Sequence, residues 1–128
     1  SVELTKSLAP GTWTVVTSAN PNLAKARLLA AGIPVPKELV TAWDVEYGKP
    51  HPEPYLKGAE NLGFDIADCV VFEDAPSGIQ AGLEAGAGLL VGVTEHGLNT
   101  KADIVVKSLK GISFQDGELV IPDSIRLR

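Results

Sequence analysis

The amino-acid sequence predicts an α/β fold with a three-layer, Rossmann-like arrangement around a parallel sheet. Short apolar segments alternate with helix-like segments along most of the 128 residues. Repeated strand–helix–strand units favour parallel strands with helices on both faces. The run Val70–Phe72 is continuously apolar, which is typical of a strand buried on both faces. No repeat or linker divides the sequence, so we expect a single domain over residues 1–128.

The predicted strands are short, apolar and mostly β-branched, and turn-forming residues lie between them. In chain order they cover residues 13–17, 39–43, 70–72, 89–93 and 104–106. The end of the chain differs, because Asp116-Gly117 is a strong two-residue hairpin signal. We therefore expect a C-terminal β-hairpin with strands over residues 112–115 and 118–121.

The predicted helices are recognised by their ends. Asn20 suits the N-cap and Pro21 the first helical position, while Gly32 and Gly63 suit C-terminal ends. Four helices are predicted. Residues 1–8 form the tail of the first, the second covers 21–31, and the fourth covers 78–85. The third is led in by residues 51–54 and continues through residue 61.

Glycine recurs at every fourth position of the last predicted helix, at Gly78, Gly82 and Gly86. Glycine inside a helix costs about 1 kcal/mol relative to alanine, and residues at this spacing share one face. We interpret this face as the place where the helix backbone approaches a neighbouring element closely.

Composition excludes several classes of partner. The formal net charge of −5 gives no basic surface for nucleic acid, and no apolar stretch reaches the roughly 20 residues that span a bilayer. The lone Cys69 rules out an internal disulfide and indicates a reducing compartment, so we expect a cytoplasmic protein. We interpret Cys69 itself as a small core hydrophobe.

Polar residues follow three of the predicted strands, where open α/β sheets place their ligands. Ser18, Ala19 and Asn20 join a strand to a helix N-terminus, which favours a bound anion. The alternative is that Ser18 and Asn20 only cap the helix.

The second polar segment is Gly48–Pro54, in which three prolines hold Lys49 in a stiff loop. Lysine is a compact cation that neutralises phosphate or keeps a carboxylate ionised. The alternative is a solvated lysine in a rigid surface loop. We interpret His51 as a local hydrogen-bonding residue at the helix start and not as an acid or base.

The third polar segment is the carboxylate pair Glu73-Asp74, directly after the apolar run. Two carboxylates at this place are costly to desolvate unless a cation compensates them. Hard oxygen ligands without clustered His or Cys favour Mg²⁺ over Zn²⁺. The alternative is that Asp74 caps the following helix.

The order of these three polar segments resembles the motif order of the haloacid dehalogenase (HAD) superfamily. The matching residues are Ser18, Lys49 within Gly48–Gly58, and the segment Glu73–Ile79. The likeness is strongest to its phosphatases of sugar and polyol phosphates, including 2-deoxyglucose-6-phosphate and glycerol phosphate phosphatases. It covers about residues 1–113 and implies a Mg²⁺-dependent phosphatase acting through an aspartyl-phosphate.

The resemblance also implies a role for each site residue. Ser18 and the backbone of Ala19 and Asn20 would bind the phosphoryl group, and Lys49 would bridge phosphate and nucleophile. Asp74 would bind Mg²⁺ directly, and Glu73 directly or through water. Phosphoryl transfer requires that the phosphoryl group be held in position and that positive charge lie where negative charge develops.

Two parts of the family pattern are absent from this sequence. Its seven aspartates include no Asp-x-Asp pair, which in the family supplies the nucleophile and the acid/base, and no helical cap is recognisable. In the family the first strand lies between the strands that end at Ser18 and Asp74. Without it we expect two unpaired strand edges, which are costly when buried and recruit other chains.

The missing strand leads to a partner hypothesis and to two alternative functions. The open edges would be covered by the missing N-terminal segment or by a second copy of the chain, and the chain alone would be inactive. One alternative function is a phosphosugar mutase of the same superfamily. The other is a truncated, non-catalytic binding protein, whereas the absent initiator Met favours a fragment of a longer enzyme.

Overall fold

The centre of the molecule is a three-stranded parallel sheet. A computed structural model describes Leu4 and residues 8–9, 11–115 and 118–128. The strands are β1 (Val70–Glu73), β2 (Leu89–Val93) and β3 (Ile104–Val106), in the order β1-β2-β3. The predicted α/β class with a parallel sheet is thus confirmed. The C-terminal tail adds an antiparallel bridge to β3 between Val106 and Arg126.

Three α-helices are described, of which the first begins at the predicted Pro21 and the last begins earlier than predicted. They are α1 (Pro21–Ala30), α2 (Glu53–Leu62) and α3 (Pro76–Ala85). Helix α3 begins two residues before the predicted Gly78, because a proline suits the first helical position and needs no N–H partner there. Among the described residues, no helix has the length and apolar character needed to cross a membrane.

The sheet is covered on both faces by apolar side chains. Val71 of β1 and Leu90 of β2 pack with Tyr55 and Ile79, which belong to α2 and α3. The opposite face forms a second cluster, whose buried members are Leu4, Val91, Val106 and Ile112. This alternation follows from the two-residue period of a strand. The predicted helix tail over residues 1–8 falls almost wholly outside the described part of the chain.

The first two predicted strands were wrong as regular elements. Residues 13–17 and 39–43 meet only through one parallel bridge, between Val16 and Val40. Thr17 N donates to Val40 O at 2.9 Å, and Val40 N donates to Val15 O at 3.0 Å. The physical reason is that a pair of strands without a third partner gains few ladder hydrogen bonds.

A cleft of about 710 Å³ separates this strand pair from β1. Cys69 O accepts a hydrogen bond from Leu89 N of β2. Because every second residue of a strand directs its backbone N–H and C=O to the same neighbour, those of Val70 and Phe72 point away from β2 and into the cleft. On the opposite wall the same argument turns the backbone of Val16 into the cleft, because Val15 and Thr17 bond to Val40. The predicted gap between the strands that end at Ser18 and Asp74 therefore lies in the structure as an open groove.

The C-terminal hairpin is confirmed with slightly shorter strands. β4 (Ser113–Gln115) pairs antiparallel with β5 (Glu118–Val120). The turn predicted at Asp116-Gly117 lies outside the described residues.

Cys69 is a free cysteine that lies just before β1 and is only half-buried. The interpretation of Cys69 as a small core hydrophobe was therefore wrong. The reason is that Cys69 lines the open cleft.

Candidate functional site

The site is centred on Lys49, which reaches both walls of the cleft. Its Nζ lies 2.8 Å from Glu73 Oε2 at the end of β1 and 3.2 Å from Val16 O on the opposite wall. The side chain of Lys49 is only 12% exposed. The sequence left a solvated lysine open as an alternative, and these contacts exclude it. The loop that carries Lys49 thus places a cation at the carboxyl edge of the sheet.

Glu73 is a buried carboxylate whose two oxygens are both engaged. Oε2 accepts from Lys49 and from the hydroxyl of Tyr55. Oε1 accepts from the amides of Asp74 and Ala75 at 3.1 and 3.3 Å. Burial alone raises the pKa of Glu73, but the hydrogen bonds from Lys49 and Tyr55, the charge of Lys49 and the bond from Asp74 together outweigh burial and leave the pKa below its usual value. Glu73 is therefore held as an anion that anchors Lys49.

Tyr55 belongs to this site, and sequence reasoning missed it. It lies on the buried face of α2, its hydroxyl donates to Glu73, and the Lys49 ammonium lies 5.1 Å from its ring centroid. Burial first, and then the charge of Glu73, raises the pKa of Tyr55, so the hydroxyl stays protonated and donates. A tyrosine at a buried helical position gives no signal of such a role in the sequence.

Gly78 makes room for the Glu73 side chain. A Cβ built on Gly78 would overlap the carboxyl group of Glu73, and one built on Gly82 would lie 2.9 Å from Leu90 Cδ1. The predicted close approach along the glycine face of α3 is thus confirmed at Gly78 and Gly82, but it is wrong at Gly86, where a Cβ would have no neighbour within 4 Å and the glycine ends the helix at a φ of +82°. At Gly78 the neighbour is a site residue, which the spacing of the glycines did not reveal.

The loop before α2 is organised by its own side chains. His51 Nδ1 accepts from Glu53 N at 3.1 Å, which confirms the local role predicted for His51. The His51 ring also packs on Tyr47, with centroids 4.9 Å apart. The carboxylate of Glu53 accepts three hydrogen bonds from the amides of Glu46 and Tyr47. Sequence reasoning did not single out Glu53.

The Ser18–Asn20 segment begins at the cleft, which Ser18 lines together with Lys49. Asn20 Oδ1 accepts from Leu23 N at 2.9 Å and caps α1, so the capping alternative is confirmed for Asn20. The amide of Ala19 donates to Thr17 Oγ1 at 3.1 Å. Ser18 is exposed at the mouth of the cleft. An anion-binding role for the three residues stays a prediction.

Asp74 is the exposed carboxylate of the site. No side chain in the described ranges forms an ion pair with it, and the same ranges hold no cluster of three or more His, Cys, Asp or Glu residues suited to a metal. Mg²⁺ needs only one or two protein carboxylates, because water and substrate phosphate supply its other oxygens. Asp74 fits that requirement, whereas Glu73 would have to loosen a bond to share an oxygen.

The chain belongs to the haloacid dehalogenase-like hydrolase family, whose model matches residues 2–86. Hexitol phosphatase A from Escherichia coli is 39% identical over 114 residues, which cover 85% of this chain and 53% of that protein. Glycerol-1-phosphate phosphohydrolase 2 from Saccharomyces cerevisiae is 42% identical over 111 residues, with 78% and 44% covered. The 2-deoxyglucose-6-phosphate phosphatase 2 of the same yeast is 36% identical over 125 residues, with 87% and 50% covered. The chain thus spans about half the length of these relatives.

Solved structures agree with the family and the fold. A HAD hydrolase of family IA from Entamoeba histolytica superposes with a TM-score of 0.64 at 27% identity, covering 73% of this chain and 46% of that one. A putative β-phosphoglucomutase from Bacteroides vulgatus superposes with a TM-score of 0.58 at 35% identity, covering 71% and 40%. The resemblance inferred from the motifs is therefore confirmed.

Proposed function

We propose that the intact protein is a phosphatase of small sugar or polyol phosphates. The observation that carries this proposal is the Lys49 ammonium, held 2.8 Å from Glu73 at the carboxyl edge of a parallel sheet. A fixed cation there can neutralise a phosphoryl group without reorganising during the reaction. The named activities of the hexitol, glycerol and 2-deoxyglucose phosphate relatives support this substrate class.

The substrate phosphate would lie between Lys49 and the start of α1. Ser18 would donate its hydroxyl to a phosphate oxygen, and the backbone around Ala19 and Asn20 would add the positive end of the helix dipole. The exposed position of Ser18 supports this role. Ala19 N is already bonded to Thr17, so its contribution requires that this bond be exchanged.

We assign Mg²⁺ to Asp74, with Glu73 as a further ligand directly or through water. The metal would draw electron density from the phosphoryl oxygens and offset developing charge. Glu73 holds the Lys49 side chain in place. The free Cys69 supports a reducing, cytoplasmic location.

The partner that completes the site is an extended segment lying in the cleft between Val16 and Val70–Phe72. The cleft-facing backbone groups there would pair with a strand parallel to both walls. In the intact protein we assign this place to the N-terminal segment that carries the Asp-x-Asp pair. A second copy of the chain is the alternative occupant, and the isolated 128 residues would not turn over.

A phosphosugar mutase is the second candidate, favoured by the superposition with putative β-phosphoglucomutases. A truncated, non-catalytic binding protein is the third. The coding sequence upstream of Ser1 distinguishes the binding protein from the two enzymes. An initiator codon directly before Ser1 would support the binding protein. An upstream Asp-x-Asp pair would support the two enzymes.

The direct test of the proposed function is an assay of the protein encoded by the whole reading frame. Release of inorganic phosphate from glycerol phosphate, hexitol phosphates and 2-deoxyglucose 6-phosphate would be measured with and without Mg²⁺. We expect hydrolysis that Lys49→Ala abolishes and that Lys25→Ala, on the exposed face of α1, leaves intact. Conversion of a sugar 1-phosphate to its 6-phosphate without phosphate release would favour the mutase and overturn the proposal.

A further inference from the structure

We propose that Glu53 is a positioning residue for Lys49, and that its carboxylate clamps the loop that presents the ammonium. Glu53 Oε1 accepts from Glu46 N at 2.8 Å, and Oε2 accepts from Glu46 N and Tyr47 N, both at 3.1 Å. Lys49 lies between the two clamped amides and Glu53 in the chain. The clamp therefore closes a loop of which Lys49 is the inward-pointing member.

Apart from its prolines, which restrict the backbone angles, the loop has few other means of holding its shape. Tyr47 is 55% exposed, and Glu46, Gly48 and Pro50 are exposed as well, so apolar burial contributes little. Its prolines have no N–H and cannot donate to one another. The remaining ties described within the loop are the hydrogen bonds His51 N to Gly48 O at 3.0 Å and Glu53 N to His51 Nδ1 at 3.1 Å, and the packing of Tyr47 on His51.

The position of Glu53 makes it a suitable clamp. It is the first residue of α2, where a negative charge is favoured by the helix dipole. The hydrogen bonds from the Glu46 and Tyr47 amides are the main reason that the pKa of Glu53 lies below its usual value, with smaller contributions from His51 and Lys57. The carboxylate is therefore charged at neutral pH, and its bonds run to the loop and not to the core.

The clamp acts on the site through the backbone of Lys49. Lys49 Nζ must reach Glu73 Oε2 and Val16 O together, at 2.8 and 3.2 Å. If Glu46 and Tyr47 were released, the stem of Lys49 would start from a range of positions, and both bonds would open more often. This inference rests on the role proposed for Lys49, but it concerns where the ammonium lies and not the reaction.

The test measures the reactivity of Lys49 directly. The full chain is treated briefly with acetic anhydride in the absence of phosphate and metal, and acetylation of each lysine is quantified by mass spectrometry. Glu53→Gln and Glu53→Ala should raise the acetylation rate of Lys49 by about fivefold or more, because local opening exposes the amine. The rates at the exposed Lys25 and Lys101 should stay the same. Glu53→Asp, which keeps the charge on a shorter stem, should lie between wild type and Glu53→Ala.

Two controls make the result specific. Glu60→Gln removes another exposed carboxylate from α2 and should leave Lys49 unreactive, as in wild type. Amide exchange at Val91 and Val105, which are fully buried, reports global unfolding in every variant. Lys49 rates that do not change in Glu53→Gln and Glu53→Ala would overturn the proposal. So would a rise that occurs only together with faster exchange at Val91 and Val105. Because no phosphate is present, a failure of the proposed phosphatase activity would not alter these outcomes.

Discussion

The ammonium of Lys49 and the carboxylate of Glu73 lie 2.8 Å apart across 24 positions of sequence. Lys49 also bonds Val16 O, so one side chain ties the end of β1 to the opposite wall of the open cleft. Both partners are largely removed from water, with 12% and 8% of their side chains exposed. A pair of this kind is costly to break on one side only, because the remaining charge stays buried.

Lys49→Met should therefore destabilise the chain while keeping the apolar stem of the side chain. We expect a loss of about 2 kcal/mol in the free energy of unfolding, the size typical of a hydrogen bond to a charged group. Urea denaturation measures it. The double variant Lys49→Met/Glu73→Gln should recover part of the loss, because no uncompensated charge then remains.

The matched control for that experiment is Lys25→Met on α1, where the lysine is exposed. It should change the free energy of unfolding by less than about 0.5 kcal/mol, as surface substitutions usually do. Equal effects of Lys25→Met and Lys49→Met would contradict a special role for the Lys49–Glu73 pair.

Gly78→Ala should displace the Glu73 carboxyl group, because the added Cβ would occupy its place. Glu73 is the flexible partner and the helix backbone is not, so we expect the fold to persist while the bonds to Lys49 and Tyr55 are lost. The acetylation rate of Lys49 should rise, and the free energy of unfolding should fall by about 2 kcal/mol.

Gly82→Ala is the comparison on the same face of α3. Its Cβ would meet a Leu90 methyl at 2.9 Å and Val71 at 3.4 Å, which small side-chain shifts can relieve. The gain of about 1 kcal/mol in helix propensity offsets that cost. We expect little change in Lys49 reactivity, and a rise equal to that of Gly78→Ala would show that the Glu73 overlap is not the cause.

The stability of the metal-free chain should depend on the protonation of Glu73. Its pKa in the folded chain lies below the ordinary carboxyl value of 4.5, so the folded state binds the proton less readily than the unfolded state. The stabilising contribution is fully present above pH 4.5 and is lost as the pH falls through the lowered folded pKa. Urea midpoints measured in EDTA from pH 7 to pH 3 should show this loss, and Glu73→Gln should flatten the curve.

Much of this site could be predicted from the sequence because its residues follow strand ends. Lys49 and Glu73 were both expected at the carboxyl edge of a parallel sheet, and the structure brings them into contact. The contacts of Glu73 with Tyr55 and Gly78, in contrast, could not be deduced from the sequence. Tyr55 and Gly78 reach Glu73 only through the packing of α2 and α3 against β1, and that depends on tertiary geometry.

The strands were predicted well where a strand has a hydrogen-bonded neighbour on each side or is covered by apolar residues on both faces of the sheet. β2 and β3 lie at the predicted residues 89–93 and 104–106. The predicted strands at 13–17 and 39–43 reduce to one bridge, because their intrinsic preference is realised only when a neighbouring strand supplies hydrogen bonds. Local sequence could predict the strand tendency but not the extent of the ladder.

The open cleft leads to a prediction about the state of the chain in solution. Backbone groups of Val16, Val70 and Phe72 face a groove of about 710 Å³, and exposed strand edges recruit other chains. Native mass spectrometry of the isolated chain should therefore show dimers or larger species. A cooperatively folded monomer of 13.4 kDa would contradict this prediction.

The isolated chain should bind Mg²⁺ weakly and should not hydrolyse p-nitrophenyl phosphate. Glu73 already has both carboxylate oxygens engaged, which leaves Asp74 as the readily available carboxylate, and the sequence holds no Asp-x-Asp pair. Isothermal titration should therefore find a dissociation constant well above the micromolar range, with Asp74→Asn removing the residual heat. Hydrolysis that requires Mg²⁺ and is abolished by Lys49→Ala would show that the nucleophile lies within these residues. Micromolar Mg²⁺ affinity that Asp74→Asn abolishes would show that the metal site is complete without a further strand in the cleft.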